Sequence, residues 1–228
     1  MTTPRTTSRR HILRMAGVTA AGASVAACAG NKRDSEVLSS TTSPDTSRSL
    51  KLPYLFDGDP QAQQSARRLL SAAASVENLH RHEEFMRLAI EVSDGNPTYP
   101  FGAVVVDHET GDVLAQGVNR NAENPVLHGE IVAINDYVTR HGNARWDRTT
   151  LYSTGEPCGM CCGALAWARI PRVVWASSRA TLRRLDLPGI HISAIEAAAR
   201  AYALYQPELF LGGVLAEEMD KRFATRVR

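Results

Sequence analysis

Two short stretches constrain the fold of this chain more than any others: His128-Gly129-Glu130 and Pro157-Cys158-Gly159-Met160-Cys161. Each opens a segment patterned as a helix, GEIVAINDYVTRH and CGMCCGALAWARI. Cys158 and Cys161 are three residues apart and share one helix face. The positive end of a helix dipole favours anions, so both sulfurs are favoured there as thiolates, and thiolates bind zinc. His128 offers a nitrogen from a second helix start. The fold must then bring two helix starts, thirty residues apart in sequence, to one ion. Three protein ligands leave one position open, the pattern of a catalytic rather than a structural zinc site.

Glu130 adds the chemistry. Residues two apart point roughly 200° from each other on a helix, so deep inside a helix His128 and Glu130 could not serve one site. At a helix start they can flank a metal lying beyond its end. The histidine then binds zinc while the carboxylate reaches water at the open position, where zinc lowers the pKa of water toward neutrality and a carboxylate can relay its proton. A redox Cys-x-x-Cys pair would leave His128 and Glu130 without a role. A closed structural site needs a fourth ligand, for which Cys162 is the nearby candidate. It lies four residues from Cys158, so helix face does not exclude it, but its expected role is that of a small buried apolar residue.

The surrounding elements alternate. HEEFMRLAIEVSD carries Phe85, Leu88, Ala89 and Val92 at helical spacing, and FGAVVVD reads as a strand buried on both faces. LAQGV, TTLYST, RVVWASS and ELFL are further strands; ISAIEAAARAYAL and VLAEEMDKRFA are further helices. Alternation on this scale specifies an α/β layered sandwich. The compact domain is expected over 80–228, preceded by a partly helical extension over 51–79 in which Asp59-Pro60 starts a helix. Residues 28–50 are polar and Ser/Thr-rich, and read as a flexible tether.

The first 27 residues read as an address. Arg9-Arg10 precedes a mildly apolar stretch too short and too weakly apolar to span a bilayer, as in a twin-arginine export signal. Val25-Ala26-Ala27-Cys28 resembles a lipobox, with Cys28 as the lipidated first residue of the mature chain. Expected partners are therefore the twin-arginine export machinery and a membrane held through a lipid anchor only, with a periplasmic or cell-surface location. Four arginines and no acid fall in residues 1–27, so processing turns the formal charge of +2 into −2. That balance carries no nucleic-acid footprint.

His-x-Glu with Pro-Cys-x-x-Cys is the signature of zinc deaminases, and the chain resembles the cytidine-deaminase-like superfamily of zinc hydrolases over residues 82–223. It is most similar to the branch holding bacterial guanine deaminases and tRNA adenosine deaminases, through PFGAVVV, GVNRNAENPVLHGEIVAI and TLYSTGEPCGMCCGALAWARIPRVVWA. The resemblance implies a three-layer α/β/α sandwich around a five-stranded mixed sheet, usually as a homodimer. It implies Zn2+ on His128, Cys158 and Cys161, with Glu130 as the proton shuttle. It also implies a substrate pocket with Asn119 hydrogen-bonding the base, Phe101 as a wall, Trp167 beside the base and Gly129 letting backbone approach the ligand. Glycine at 129 is similar to fungal cytosine deaminase as well, and Asp186 falls near a base-contacting acid of the guanine enzymes. A closing C-terminal tail is not expected.

The implied reaction is zinc-dependent hydrolytic deamination of a free nucleobase or nucleoside, with guanine-type purines favoured. A cytosine-type pyrimidine enzyme and a catalytically inert zinc-binding protein of the same fold are the alternatives. The basic run Arg179, Arg183 and Arg184 reads as a solvated helix face.

Overall fold

The computed structural model describes residues 59–76, 79–190 and 192–228, all within the unit Arg48–Arg228. The leader, its lipobox with Cys28, and the tether lie outside the described residues. The element order is α1 (Pro60–Ala74), α2 (His80–Ser93), β1 (Gly102–Asp107), β2 (Val113–Val118), α3 (Gly129–His141), β3 (Thr149–Gly155), α4 (Gly159–Ala168), β4 (Arg172–Ser177), α5 (Arg179–Arg184), α6 (Ala194–Arg200), β5 (Leu209–Gly212) and α7 (Ala216–Ala224). Among the described residues no helix is long and apolar enough to cross a membrane.

The strands form one five-stranded sheet in the order β2-β1-β3-β4-β5. β1 pairs antiparallel with β2 and β3, while β3, β4 and β5 run parallel, so the sheet is mixed. Every residue of β1 and β3 is buried, as expected of central strands with helices on both faces. Alternate side chains feed two cores. Ala103, Val105, Leu151, Val173 and Phe210 face α1, α3, α4 and α6. Val104, Val106, Tyr152, Val174 and Leu211 face α2, α5 and α7. This is the three-layer α/β/α sandwich. Leu69 of α1 is fully buried in the first core, so that helix shares the core of the residues that follow position 80.

Two glycines bring helices into contact with the sheet. A Cβ on Gly102 would lie 2.3 Å from the carbonyl oxygen of Ala89 in α2. A Cβ on Gly117 would lie 2.3 Å from both the carbonyl oxygen of Gly129 and the amide nitrogen of Ala133. The first turn of α3 therefore rests directly on the backbone of β2.

The strand directions gather one edge of the sheet. Ala103 pairs with Ser153, and Gly155 with Ser177, so β1 begins where β3 and β4 end. β2 ends at the same edge, because Val118 pairs with Gly102. Phe101, Asn119, Glu156 and Arg179 each stand next to or just beyond these strand ends.

Candidate metal centre

His128 and Cys158 are the N-cap residues of α3 and α4. Both have extended backbone (φ −67°, ψ 159° and φ −71°, ψ 169°), which turns each side chain across the start of its helix. Cys161 lies in the first turn of α4. Nδ1 of His128 is 3.5 Å from Sγ of Cys158 and 3.6 Å from Sγ of Cys161, and the sulfurs are 3.7 Å apart. Tetrahedral zinc with ordinary Zn–S and Zn–N bond lengths sets S···S at about 3.8 Å and S···N at about 3.6 Å. The triangle therefore matches a zinc ion on all three edges. His128, Cys158 and Cys161 form the one such cluster among the described residues.

The electrostatics suit a cation. The hydrogen bond from Cys161, followed by one from His128, holds the Cys158 thiol well below its ordinary value, while the same contact and burial push the Cys161 thiol up. The contact with Cys158 raises the His128 imidazole above its ordinary value. Cys162 is different. It is buried in the core, its Sγ lies 3.4 Å from the carbonyl oxygen of Pro157, and burial pushes its thiol up. Cys162 is outside the cluster, as expected of a buried apolar residue.

Glu130 is 4 % exposed and lines the same cleft as His128 and Cys158. Its Oε1 accepts a hydrogen bond from the Ser153 hydroxyl at 3.3 Å. Burial raises its carboxyl pKa, and Cys158 and His128 both act on it electrostatically. Gly129 sits between the two functional residues with its Cα against the backbone of Phe101; a Cβ would lie 2.8 Å from that carbonyl oxygen. The close approach at Gly129 is thus to the chain itself.

The cleft is lined by Phe101, Asn119, His128, Glu130 and Cys158, together with Tyr99, Asn121, Glu156, Arg179, Leu187 and Pro188. The Phe101 ring packs 4.8 Å from that of Phe223 and covers Gly155. Oδ1 of Asn119 accepts from the backbone N–H of Asn121 at 2.9 Å. Since only the oxygen can accept, this bond fixes the amide and leaves Nδ2 as the donor end.

Trp167 does not join the cleft. It is 77 % exposed, because α4 buries Cys161, Cys162, Leu165 and Ala166, and position 167 faces away from that stripe. Asp186 is also outside the lining, exposed, and in the left-handed region at φ 57°.

Glu156 and Arg179 were not singled out by the sequence as cleft residues. The Glu156 carboxylate is buried and bridges two helix starts, accepting from the N–H of Arg179 and of Ala194 at 2.7 Å each. Its place directly before Pro157-Cys158 was the available signal. Arg179 carried none, since it reads as part of a basic helix face.

The zinc-binding region of cytidine and deoxycytidylate deaminases matches residues 79–177. The chain is similar to a tRNA-specific adenosine deaminase of Streptococcus pyogenes serotype M1 (33 % identical over 114 residues, 48 % of this chain and 66 % of that protein). It is similar to a guanine deaminase of Bacillus subtilis (36 % over 102 residues, 42 % and 64 %). A tRNA-specific adenosine deaminase of Rickettsia felis is 30 % identical over 134 residues, 57 % of this chain and 88 % of that protein. The match spans just under two thirds of the first two relatives, 66 % and 64 % of their lengths. The solved structure of a guanine deaminase from Nitrosomonas europaea shares the fold, with a TM-score of 0.52 at 20 % identity over 68 % of this chain and 89 % of that one.

Proposed function

Because the chain belongs to the zinc-binding cytidine and deoxycytidylate deaminase family, we propose that it hydrolyses the exocyclic amine of a free nucleobase or nucleoside, with guanine-type purines favoured. One observation carries this reading. An imidazole and two sulfurs stand at zinc-ligand spacing, with a buried carboxylate facing the same cleft.

His128, Cys158 and Cys161 would hold the zinc, which when bound supplies Lewis-acid activation of water at neutral pH. Everything else falls to the chain. Asn119 donates from Nδ2 to the edge of the base, and Phe101, fixed between Phe223 and Gly155, walls the ring. Glu130 accepts a proton from the attacking water and delivers it to a ring nitrogen. It then delivers the second proton to the departing amine, so that an aminated ring carbon and water become a carbonyl carbon and ammonia. Ser153 holds the carboxylate on course for both transfers. A purely structural metal site has no use for a buried carboxylate at this position, which favours an enzyme over an inert scaffold.

The test is ammonia release from guanine, guanosine, cytosine, cytidine, adenine and adenosine by the zinc-loaded chain. Turnover of guanine or guanosine above the rest is expected. Release from cytosine alone would replace the purine preference, and silence on all six would remove the reading.

The same proposal includes export by the twin-arginine route and anchoring at Cys28, supported by Arg9-Arg10 and Val25-Ala26-Ala27-Cys28. Mass spectrometry of the membrane-bound protein should find an acylated N-terminal Cys28, and an intact Met1 terminus would refute it. Assembly as a homodimer is part of the same proposal and is supported by the chain's family membership. Sedimentation at micromolar concentration should give twice the chain mass, and a monomer would refute it.

A further inference from the structure

Arg179 is a cation in the cleft that neither the metal nor the proton relay uses. It lines the cleft with Asn119, His128 and Glu130. Its backbone is pinned by Glu156, which accepts its N–H at 2.7 Å, and Nη2 makes a long 3.5 Å hydrogen bond to the carbonyl oxygen of Pro188. The guanidinium fills the space above Gly189, where a Cβ would lie 1.7 Å from Nη2 and 2.8 Å from Cζ. Among the described residues no carboxylate pairs with it. The one acid nearby in its hydrogen bonding, Glu156, spends both oxygens on backbone amides.

Two of the polar groups that line the cleft are donors toward a ligand. Asn119 offers Nδ2 because its oxygen accepts from Asn121, and Arg179 offers the N–H groups of its planar fork that the Pro188 carbonyl does not take. A ligand bound here must present acceptors, and a carbonyl oxygen with two lone pairs meets a guanidinium best. Guanine and cytosine both carry a carbonyl separated from the aminated carbon by one ring nitrogen. Adenine carries a C–H at the corresponding place.

We propose that Arg179 is a specificity-determining residue of the cleft, donating from its guanidinium to the carbonyl oxygen of a bound base, so that oxo-bases of the guanine or cytosine type are accepted and adenine is not. This deepens the deaminase reading and rests on it for the identity of the ligand class. Gly189 is the second part of the device, since a side chain there would evict the guanidinium.

The experiment is equilibrium dialysis of radiolabelled guanine, cytosine, adenine and the guanosine and cytidine 5′-monophosphates. The protein is the zinc-loaded full chain carrying Glu130→Gln, which binds without turnover, alone and with Arg179→Met or Gly189→Ala added. Losing a hydrogen bond to a charged donor should weaken the preferred oxo-base on the order of 10–100-fold. Adenine, already weak, should not change. Gly189→Ala should act in the same direction and stands in if Arg179→Met fails to fold, as checked by thermal melting. Equal affinities before and after either change would overturn the assignment, as would an equal loss for adenine. A loss confined to the monophosphates would overturn it in favour of a phosphate contact. If guanine or cytosine binds and the unmodified chain releases ammonia while Arg179→Met is indifferent, only this inference fails. If no base binds and no ammonia appears, the deaminase reading fails and takes the inference with it.

Discussion

Gly117→Ala tests the placement of the site without touching a site residue. The new Cβ would lie 2.3 Å from the carbonyl oxygen of Gly129 and from the amide nitrogen of Ala133, and 2.8 Å from the carbonyl carbon of Val132. These are backbone atoms, so no rotamer change relieves them. Ordinary contact begins near 3.4 Å, so α3 must move off β2 by about 1.1 Å. The displaced residue, Gly129, sits between His128 and Glu130. Metal–ligand distances in a sound zinc site lie within about 0.2 Å of their ideal values. Overpacking of this kind costs roughly 1–3 kcal/mol, and disturbing the support of a metal ligand weakens binding roughly 10–100-fold. Urea unfolding of the zinc-loaded protein measures the first quantity, and competition with a chromophoric chelator the second. Gly163→Ala is the control. It lies in α4 near the cysteines, but a Cβ there meets nothing within 4 Å, so it should be neutral or stabilising by up to about 1 kcal/mol. A folded Gly117→Ala protein with zinc affinity within about twofold of the parent would refute the claim that this contact seats the metal site.

Other perturbations should separate roles within the cleft and the core. Glu156→Ala leaves the amides of Arg179 and Ala194 without their acceptor; a loss of roughly 1–3 kcal/mol for each is expected in urea unfolding, and unchanged stability would show that water replaces the carboxylate. Cys162→Ala should retain one zinc per chain by metal analysis while Cys161→Ala loses it, and the reverse pattern would exchange their assignments. His82 is half-buried against the Tyr152 hydroxyl at 2.9 Å, and burial lowers its pKa. The unfolded chain thus takes up this proton first, so stability should fall as pH drops below about 6.5. His82→Gln should flatten that part of the urea-midpoint profile, and identical profiles would reject the assignment.

The alternation of apolar runs made the strands and most helices legible, because central strands buried on both faces are continuously apolar. GAVVVD and TTLYST needed little context. The ligands were legible because metal chemistry demands particular residue types at particular spacings. What failed were questions of direction. Trp167 lies in a helix that is apolar almost all round, so no polar face told which side meets solvent. Arg179 shares a short helix with the exposed Arg183 and Arg184, and nothing in that run marks its first residue as facing the cleft. Asn119 has both a donor and an acceptor in sequence, but the fold commits its oxygen to Asn121. The extension over 51–79 reads as preceding the compact domain, yet Leu69 reaches the main core. In each case a partner distant in sequence decides the outcome.

The most direct test pairs metal content with turnover in Glu130→Gln. The substitution keeps the size of the side chain and leaves His128, Cys158 and Cys161 in place, while amide chemistry cannot relay a proton. The variant and the parent, both as full chains, are assayed for zinc per chain and for ammonia released from guanine. One zinc in each, with ammonia from the parent and a rate lower by roughly 10²–10⁴-fold in the variant, is the expected result. Undiminished ammonia release from the variant, or a parent that binds no zinc, would contradict the account.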